Sequence, residues 1–178
     1  TLVDIVRQGK ALYVGISKYP KAAAEFAYRY LAERDVHCLL YQGRYNIFNR
    51  EPEEEGILRQ AKENGTGFIA FSPLAQGLLT NRYLNGIPDD SRIAKGGFLK
   101  KEALTDEVLK KIKALNELAI RRGQTLAEMA LAWILKDDLV TSVIIGASSV
   151  GQLADNLKAI DNTAFSAEEL KNIYQIVK

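Results

Sequence analysis

Four short apolar runs in this chain each end on small, hydrogen-bonding residues. Gly15-Ile16-Ser17 closes the first, Tyr41-Gln42-Gly43 the second, Phe71-Ser72-Pro73 the third and Gly146-Ala147-Ser148 the fourth. Hydroxyls, an amide and backbone unshielded by a Cβ can hold a polar ligand through directed hydrogen bonds. The fourth run goes furthest. Gly146 lets a ligand approach the backbone, and Ser149 opens a helix whose free N–H groups and dipole favour an anion. Plainer explanations stand beside these. Gly and Ser are what any strand exit uses to turn, and Ser149 is a good N-cap on its own account. The shared character of all four ends favours a polar ligand site, and a cap and a phosphate site can coexist.

Other reactive residue types are read as structure. His37 and Cys38 fall inside the second run, where core packing is expected. Met129 and Trp133 sit in a wholly apolar helical stretch. Arg121 and Arg122 end a helix, where cations complement the dipole and solvation is expected. Lys110, Lys111 and Lys113 read as a wet face. One Cys and one His exclude a disulfide framework, a Cys-rich zinc site and a multi-histidine site, so no metal ligands are assigned. No Gly-x-Gly-x-x-Gly follows a strand, and no P-loop or Gly-x-Ser-x-Gly is present.

The elements that must position these residues follow from patterning. Residues 10–17 (KALYVGIS), 36–42 (VHCLLYQ), 66–72 (TGFIAFS) and 141–148 (TSVIIGAS) are short and largely apolar, as strands buried on both faces of a parallel sheet are. Between them lie helices. Pro20 starts one with a stripe of Ala23, Phe26, Ala27, Tyr30 and Leu31. Pro52 with Glu53, Glu54 and Glu55 starts another that ends at Gly65. Thr105 opens a third, with Val108, Ile112, Leu115 and Ala119 on one face and Gly123 at its end. Thr125/Glu128, Ser149/Gln152 and Ser166/Glu169 read as capping boxes, the last before a helix carrying Leu170, Ile173 and Val177. Strands alternating with helices imply an α/β fold of parallel β/α units. Ligands in such folds bind beyond the carboxyl ends of the strands. One long connection, about residues 73–104, carries Gly77, Gly86, Pro88, Gly96 and Gly97, and loops of that length are usually functional. No linker or low-complexity tract interrupts the pattern.

Composition sets outer bounds. The chain has 178 residues, 47% hydrophobic and 26% charged, with 24 Lys+Arg against 22 Asp+Glu. The net charge of +2 gives no electrostatic ground for a nucleic-acid or membrane-surface partner. No apolar run approaches the ~20 residues that span a bilayer. Residues 1–10 carry Asp4, Arg7, Gln8 and Lys10 rather than a secretory stretch, and the expected location is cytoplasmic.

Four segments carry a resemblance: GKALYVGIS (9–17), YQGRYNIFNR (41–50), FSPLAQGLLTNRYLNGIPDDSR (71–92) and IIGASSVGQLADN (144–156). Together they resemble the aldo-keto reductase superfamily over essentially the whole chain. The branch is the one that includes bacterial L-glyceraldehyde 3-phosphate reductases and potassium-channel β subunits. The resemblance implies a (β/α)8 TIM barrel that reduces aldehydes or ketones with NADP(H), without metal or flavin. It implies that Ser17 and Gln42 hold the nicotinamide carboxamide, with Lys18 where the family usually has Asn. It implies that Ser72, Pro73, Leu74, Gly77 and Leu79 form the loop over the pyrophosphate. It implies that Arg82, Ser91 and Arg92 lie near the cofactor phosphates. It implies that Gly146, Ser148, Gln152 and Asn156 form the adenosine and 2′-phosphate pocket. Ser149 stands where relatives often carry a basic residue, and Gly43 replaces a common Pro.

The family's catalytic Asp, Tyr, Lys and His come from its first four strands and their loops. The four runs here match strands five to eight, and none of the eight tyrosines, nor His37, stands in a matching context. No catalytic residue is therefore assigned. Residues 1–178 are expected to be the C-terminal half of a barrel whose N-terminal half is absent, inactive alone. The expected partners are a small carbonyl substrate and the missing half or another chain. A homo-oligomer is compatible with this. The alternatives are a non-catalytic, cofactor-binding regulatory subunit and an inactive truncated fragment.

Overall fold

The computed structural model describes residues 1–89, 94, 96 and 101–178. Four parallel strands form one sheet in the order β1-β2-β3-β4: β1 Val14–Ser17, β2 Cys38–Arg44, β3 Gly67–Phe71 and β4 Ser142–Val143. The helices are α1 Leu2–Arg7, α2 Lys21–Ala32, α3 Glu51–Glu54, α4 Ile57–Glu63, α5 Asp106–Arg121, α6 Leu126–Ile134, α7 Val150–Leu157 and α8 Ala167–Val177. Short 3-10 turns at Ala75–Gly77, Asn81–Tyr83 and Lys101–Ala103 punctuate the long connection after β3.

The expected α/β class with a parallel sheet is what the chain forms. The two edge strands are shorter than their apolar runs. Leu12 and Tyr13, ahead of β1, are 82% and 67% exposed. An edge strand pairs on one side only, so its ladder ends where that partner ends. Beyond β4, Ile144 N still donates to Ala70 O at 2.8 Å. Central β2 runs two residues past its expected end. Gly43 within it is a packing position: a Cβ there would stand 2.5 Å from the Phe68 ring.

Helix boundaries follow the local chemistry with two differences. The stretch from Pro52 to Gly65 is two helices, because Gly56 turns left-handed at φ 78° between α3 and α4. On α2 the buried face is Ala24, Tyr28 and Leu31, while Phe26 is 57% exposed. Tyr28 occupies the inward position instead, and burial raises its hydroxyl pKa. Phe26 and Tyr30 pack on each other outside, with the Arg34 guanidinium 3.6 Å over the Tyr30 ring.

The described residues fall into two compact units. The first is Thr1–Tyr45, Asn49–Phe71 and Asp137–Ile144; the second is Asn46–Phe48, Ser72–Lys136 and Ile145–Lys178. In the first unit the sheet's core is built on Tyr41 and Phe68, whose rings stack at 5.5 Å. Cys38 is buried, and burial raises its thiol pKa, which makes it inert core. His37, by contrast, is exposed one residue before β2, its ring nitrogen 3.1 Å from Gly65 O.

In the second unit α5, α6 and α8 pack around Ile112, Leu115, Leu126, Met129 and Ile173, all fully buried. Thr105 and Ser149 cap their helices, and Thr125/Glu128 and Ser166/Glu169 close reciprocal boxes. Arg122 departs from the solvated expectation. Its side chain is 5% exposed and pairs with Glu169 at 2.6 Å. It also donates to the carbonyls of Asn162 and Ala164 and to Gln124 Oε1, with Phe165 under its guanidinium. Lys111 is likewise half-buried, bonded to Glu107 and to Val177 O.

Burial pushes the Glu169 carboxyl up. The hydrogen bonds from Ser166 and Arg122 outweigh it and hold the carboxyl below its ordinary 4.5. A lowered folded pKa means this stabilisation is full above about pH 4.5 and is lost as pH falls through the lower value. Arg122→Met should therefore cost about 2–3 kcal/mol in urea denaturation at pH 7. The difference from wild type should shrink as the pH is taken below 4.5.

Candidate functional site

Ser17 and Gln42 are register partners at the carboxyl ends of β1 and β2. Adjacent strands lie about 4.8 Å apart, and register partners present their side chains to the same face. A hydroxyl and an amide are thus placed side by side on one rim. Lys18 follows at φ 56°, its N–H donating to Gln42 O at 3.0 Å. That conformation costs a Cβ-bearing residue on the order of 1 kcal/mol, less for Asn, whose short side chain tolerates it. The Lys18 ammonium lies 5.2 Å from the centre of the Phe71 ring, the last residue of β3. Phe71 was not singled out from sequence, because an aromatic ending a buried strand reads as core. It is only half-buried. Arg44, its register partner on β2, adds an exposed cation to the same rim.

The second unit holds the loop residues. Ser72 leaves β3 at φ 54°, and Ala75, Gln76 and Gly77 follow at 47°, 60° and 104°. Three of these four carry a Cβ, so the turn stores strain, as functional loops do. It is held from below. Asn46 is fully buried; its Nδ2 donates to Ser72 O at 2.9 Å and its Oδ1 accepts from Phe48 N at 3.0 Å. Ala75 N donates to the same Ser72 carbonyl at 3.0 Å. Leu79 N closes back on Leu74 O, and Thr80 Oγ1 donates to Gly77 O at 2.7 Å. Pro73 and Leu79 anchor the loop by burial, while Leu74 and Gly77 are half-buried. Arg82 is exposed, its backbone N–H donating to Thr80 Oγ1. Ser91 and Arg92 lie outside the described residues. Asn46 escaped the sequence reading because an Asn after a strand reads as an ordinary turn former; only the carbonyl it holds gives it away.

The segment after β4 is open. Gly146 and Ser148 are exposed, and a Cβ on Gly146 would meet no described atom within 4 Å. Packing inside the chain therefore does not demand glycine there. Ser149 Oγ accepts from Gln152 N at 3.1 Å, the capping bond expected. Gln152 Oε1 does not close the box on Ser149. It accepts from Ser148 N and Ser148 Oγ at 2.7 and 3.0 Å, so these two site residues are joined to each other. Asn156 lies one turn further along α7, 6% exposed, and its Nδ2 meets no acceptor among the described residues. A buried amide donor left unpaired costs about 1–3 kcal/mol. No group of His, Cys, Asp and Glu suited to a metal occurs among the described residues.

Parallel β/α units with polar strand exits are what the resemblance to the aldo/keto reductase family implies. The chain belongs to that family, whose profile matches residues 1–178. It is 48% identical over 178 residues to the L-glyceraldehyde 3-phosphate reductase of Escherichia coli K12, with 98% of this chain covered and 51% of the relative. It is 36% identical over 161 residues to a probable voltage-gated potassium channel subunit beta of Arabidopsis thaliana, with 88% and 49% covered. Among solved structures, a thermostable aldo-keto reductase crystallised with the inhibitor epalrestat superposes with a TM-score of 0.69 at 26% identity. That match covers 98% of this chain and 52% of the other. The chain thus spans about half the length of these relatives. No helix among the described residues is long and apolar enough to cross a membrane.

Asn46→Ala removes the side-chain donor from Ser72 O and should lower stability by about 1–3 kcal/mol in urea denaturation. Asn46→Asp keeps the acceptor for Phe48 N but not the donor, and should recover only part of the loss.

Proposed function

We propose that this chain is the cofactor-holding, C-terminal half of an NADP(H)-dependent aldo-keto reductase barrel acting on small aldehydes or ketones. The observations that support the reading are an open Gly146 and, on α7, a buried Asn156 amide with no acceptor among the described residues. A purine ring, rich in acceptor nitrogens, is a ligand that would satisfy such a donor. Ser17 and Gln42 would hold the nicotinamide carboxamide through their paired hydroxyl and amide. The loop of Ser72, Pro73, Leu74, Gly77 and Leu79 would cover the pyrophosphate, and Arg82, Ser91 and Arg92 would neutralise phosphate charge. Gly146, Ser148, Gln152 and Asn156 would hold the adenosine end. When bound, the cofactor supplies a hydride to a carbonyl carbon. The residues of this chain bind and orient; none stands in a matching context for the proton donor. The other four β/α units, on this chain's continuation or on a partner, would supply it and cover the β1 and β4 edges. The name of the 48% relative points to a phosphorylated three-carbon aldehyde as the substrate class.

A second, non-catalytic reading draws on the channel-subunit relative. Tight cofactor binding with negligible turnover in the complete barrel would favour it.

NADPH fluorescence titration tests the assignment. Gln42→Ala, Arg92→Ala and Asn156→Ala should each weaken binding by about tenfold, the scale of one lost charge-assisted or buried hydrogen bond. Unchanged affinity in all three contradicts the site. The 178-residue chain should show no NADPH oxidation with glyceraldehyde above the uncatalysed rate; measurable turnover contradicts the half-barrel reading.

A further inference from the structure

The rim of β1–β3 carries a cation where a nicotinamide site needs none. Ser17 and Gln42 pair in register, and Lys18 is the residue immediately after Ser17. Its side chain is exposed yet lies over a ring of the sheet. The left-handed turn at φ 56°, pinned by the bond from its N–H to Gln42 O, brings the ammonium across the sheet to 5.2 Å from the Phe71 ring centre. Ser17, Lys18, Gln42 and Phe71 all belong to the first compact unit. Arg44, in register with Phe71, makes this part of the rim more positive.

The two redox forms of a nicotinamide differ in charge at this end of the molecule. The oxidised ring is a cation and the reduced ring is neutral. Their phosphates and adenosine are identical, so a charge elsewhere in the site acts on both forms nearly equally. A charge beside the carboxamide acts on the difference alone. We infer that Lys18 is a specificity-determining residue for the redox state of the cofactor, disfavouring NADP+ relative to NADPH by placing an ammonium beside the nicotinamide subsite. Phe71 holds that ammonium through its ring face. The consequence is a chain that holds the reduced cofactor more tightly than the oxidised one. This rests on the cofactor reading above.

Binding of NADPH and of NADP+ to the 178-residue protein, each titrated by calorimetry, tests it in wild type, Lys18→Gln, Lys18→Arg and Gln42→Ala. Lys18→Gln should tighten NADP+ by about five- to tenfold, the effect of a charge several ångströms away in a partly hydrated site, while NADPH affinity stays within about twofold. Lys18→Arg keeps the charge and should keep the wild-type ratio. Raising the salt concentration should narrow the difference between wild type and Lys18→Gln. A Lys18→Gln substitution that leaves the NADP+/NADPH ratio unchanged, or that moves both affinities together, overturns the inference. If Gln42→Ala still weakens both forms in that case, the cofactor reading survives it. If folded wild type, judged by circular dichroism, binds neither form, both fall.

Discussion

Parallel pairing of β1, β2 and β3 is the constraint on which everything else depends. A parallel register brings all strand ends to one rim and forces each return to the next strand through a helix. The same register sets Gln42 beside Ser17 and Arg44 beside Phe71. Neither pair is close in sequence, and neither could be moved without shifting the whole ladder. Packing locks that register from within the sheet. Phe68 stacks on Tyr41, meets Tyr45 edge-on, and takes the space that a side chain on Gly43 would need.

From that rim outward, the loops are held by polar anchors rather than by apolar burial alone. Asn46 carries the strained exit at Ser72, and Gln152 ties back to Ser148. Arg122 joins the end of α5 to the turn before α8 and to Glu169 on α8. The Asn46 and Arg122 anchors are long-range bonds, and that of Gln152 is local; all three are made by side chains whose type suggests a surface role. Buried polar groups so satisfied specify one loop conformation where an apolar contact would allow several. Asn156 differs from these anchors, because its donor is buried and unpaired among the described residues.

Much of the fold was legible because local signals agree with it. Thr125 with Glu128 and Ser166 with Glu169 close the boxes their spacing implies, and Gly65 and Gly123 end helices in the left-handed conformation. The resemblance over the four motif segments supplied the family. What escaped reading was tertiary. A stripe on α2 could be drawn through Phe26 or through Tyr28, and only packing decides for Tyr28. Gly56 breaks one helix into two because its φ is positive, which spacing alone does not reveal. The roles of Asn46, Arg122 and the Lys18–Phe71 pair depend on partners 26 to 53 residues away in the chain. Of the site, the strand-end residues were visible as types; their pairing was visible only in the register.

The role proposed for these strand exits and for α7 is the binding of a nicotinamide dinucleotide. Hydrogen–deuterium exchange of the 178-residue protein with and without saturating NADPH measures this most directly. NADPH should slow exchange in four separate segments: near residue 17 in β1, near residue 42 in β2, in the loop of residues 72–79, and in residues 146–156. No comparable change is expected in α5 or α8. Exchange that is unaltered by NADPH everywhere, or slowed only outside those four segments, would contradict it.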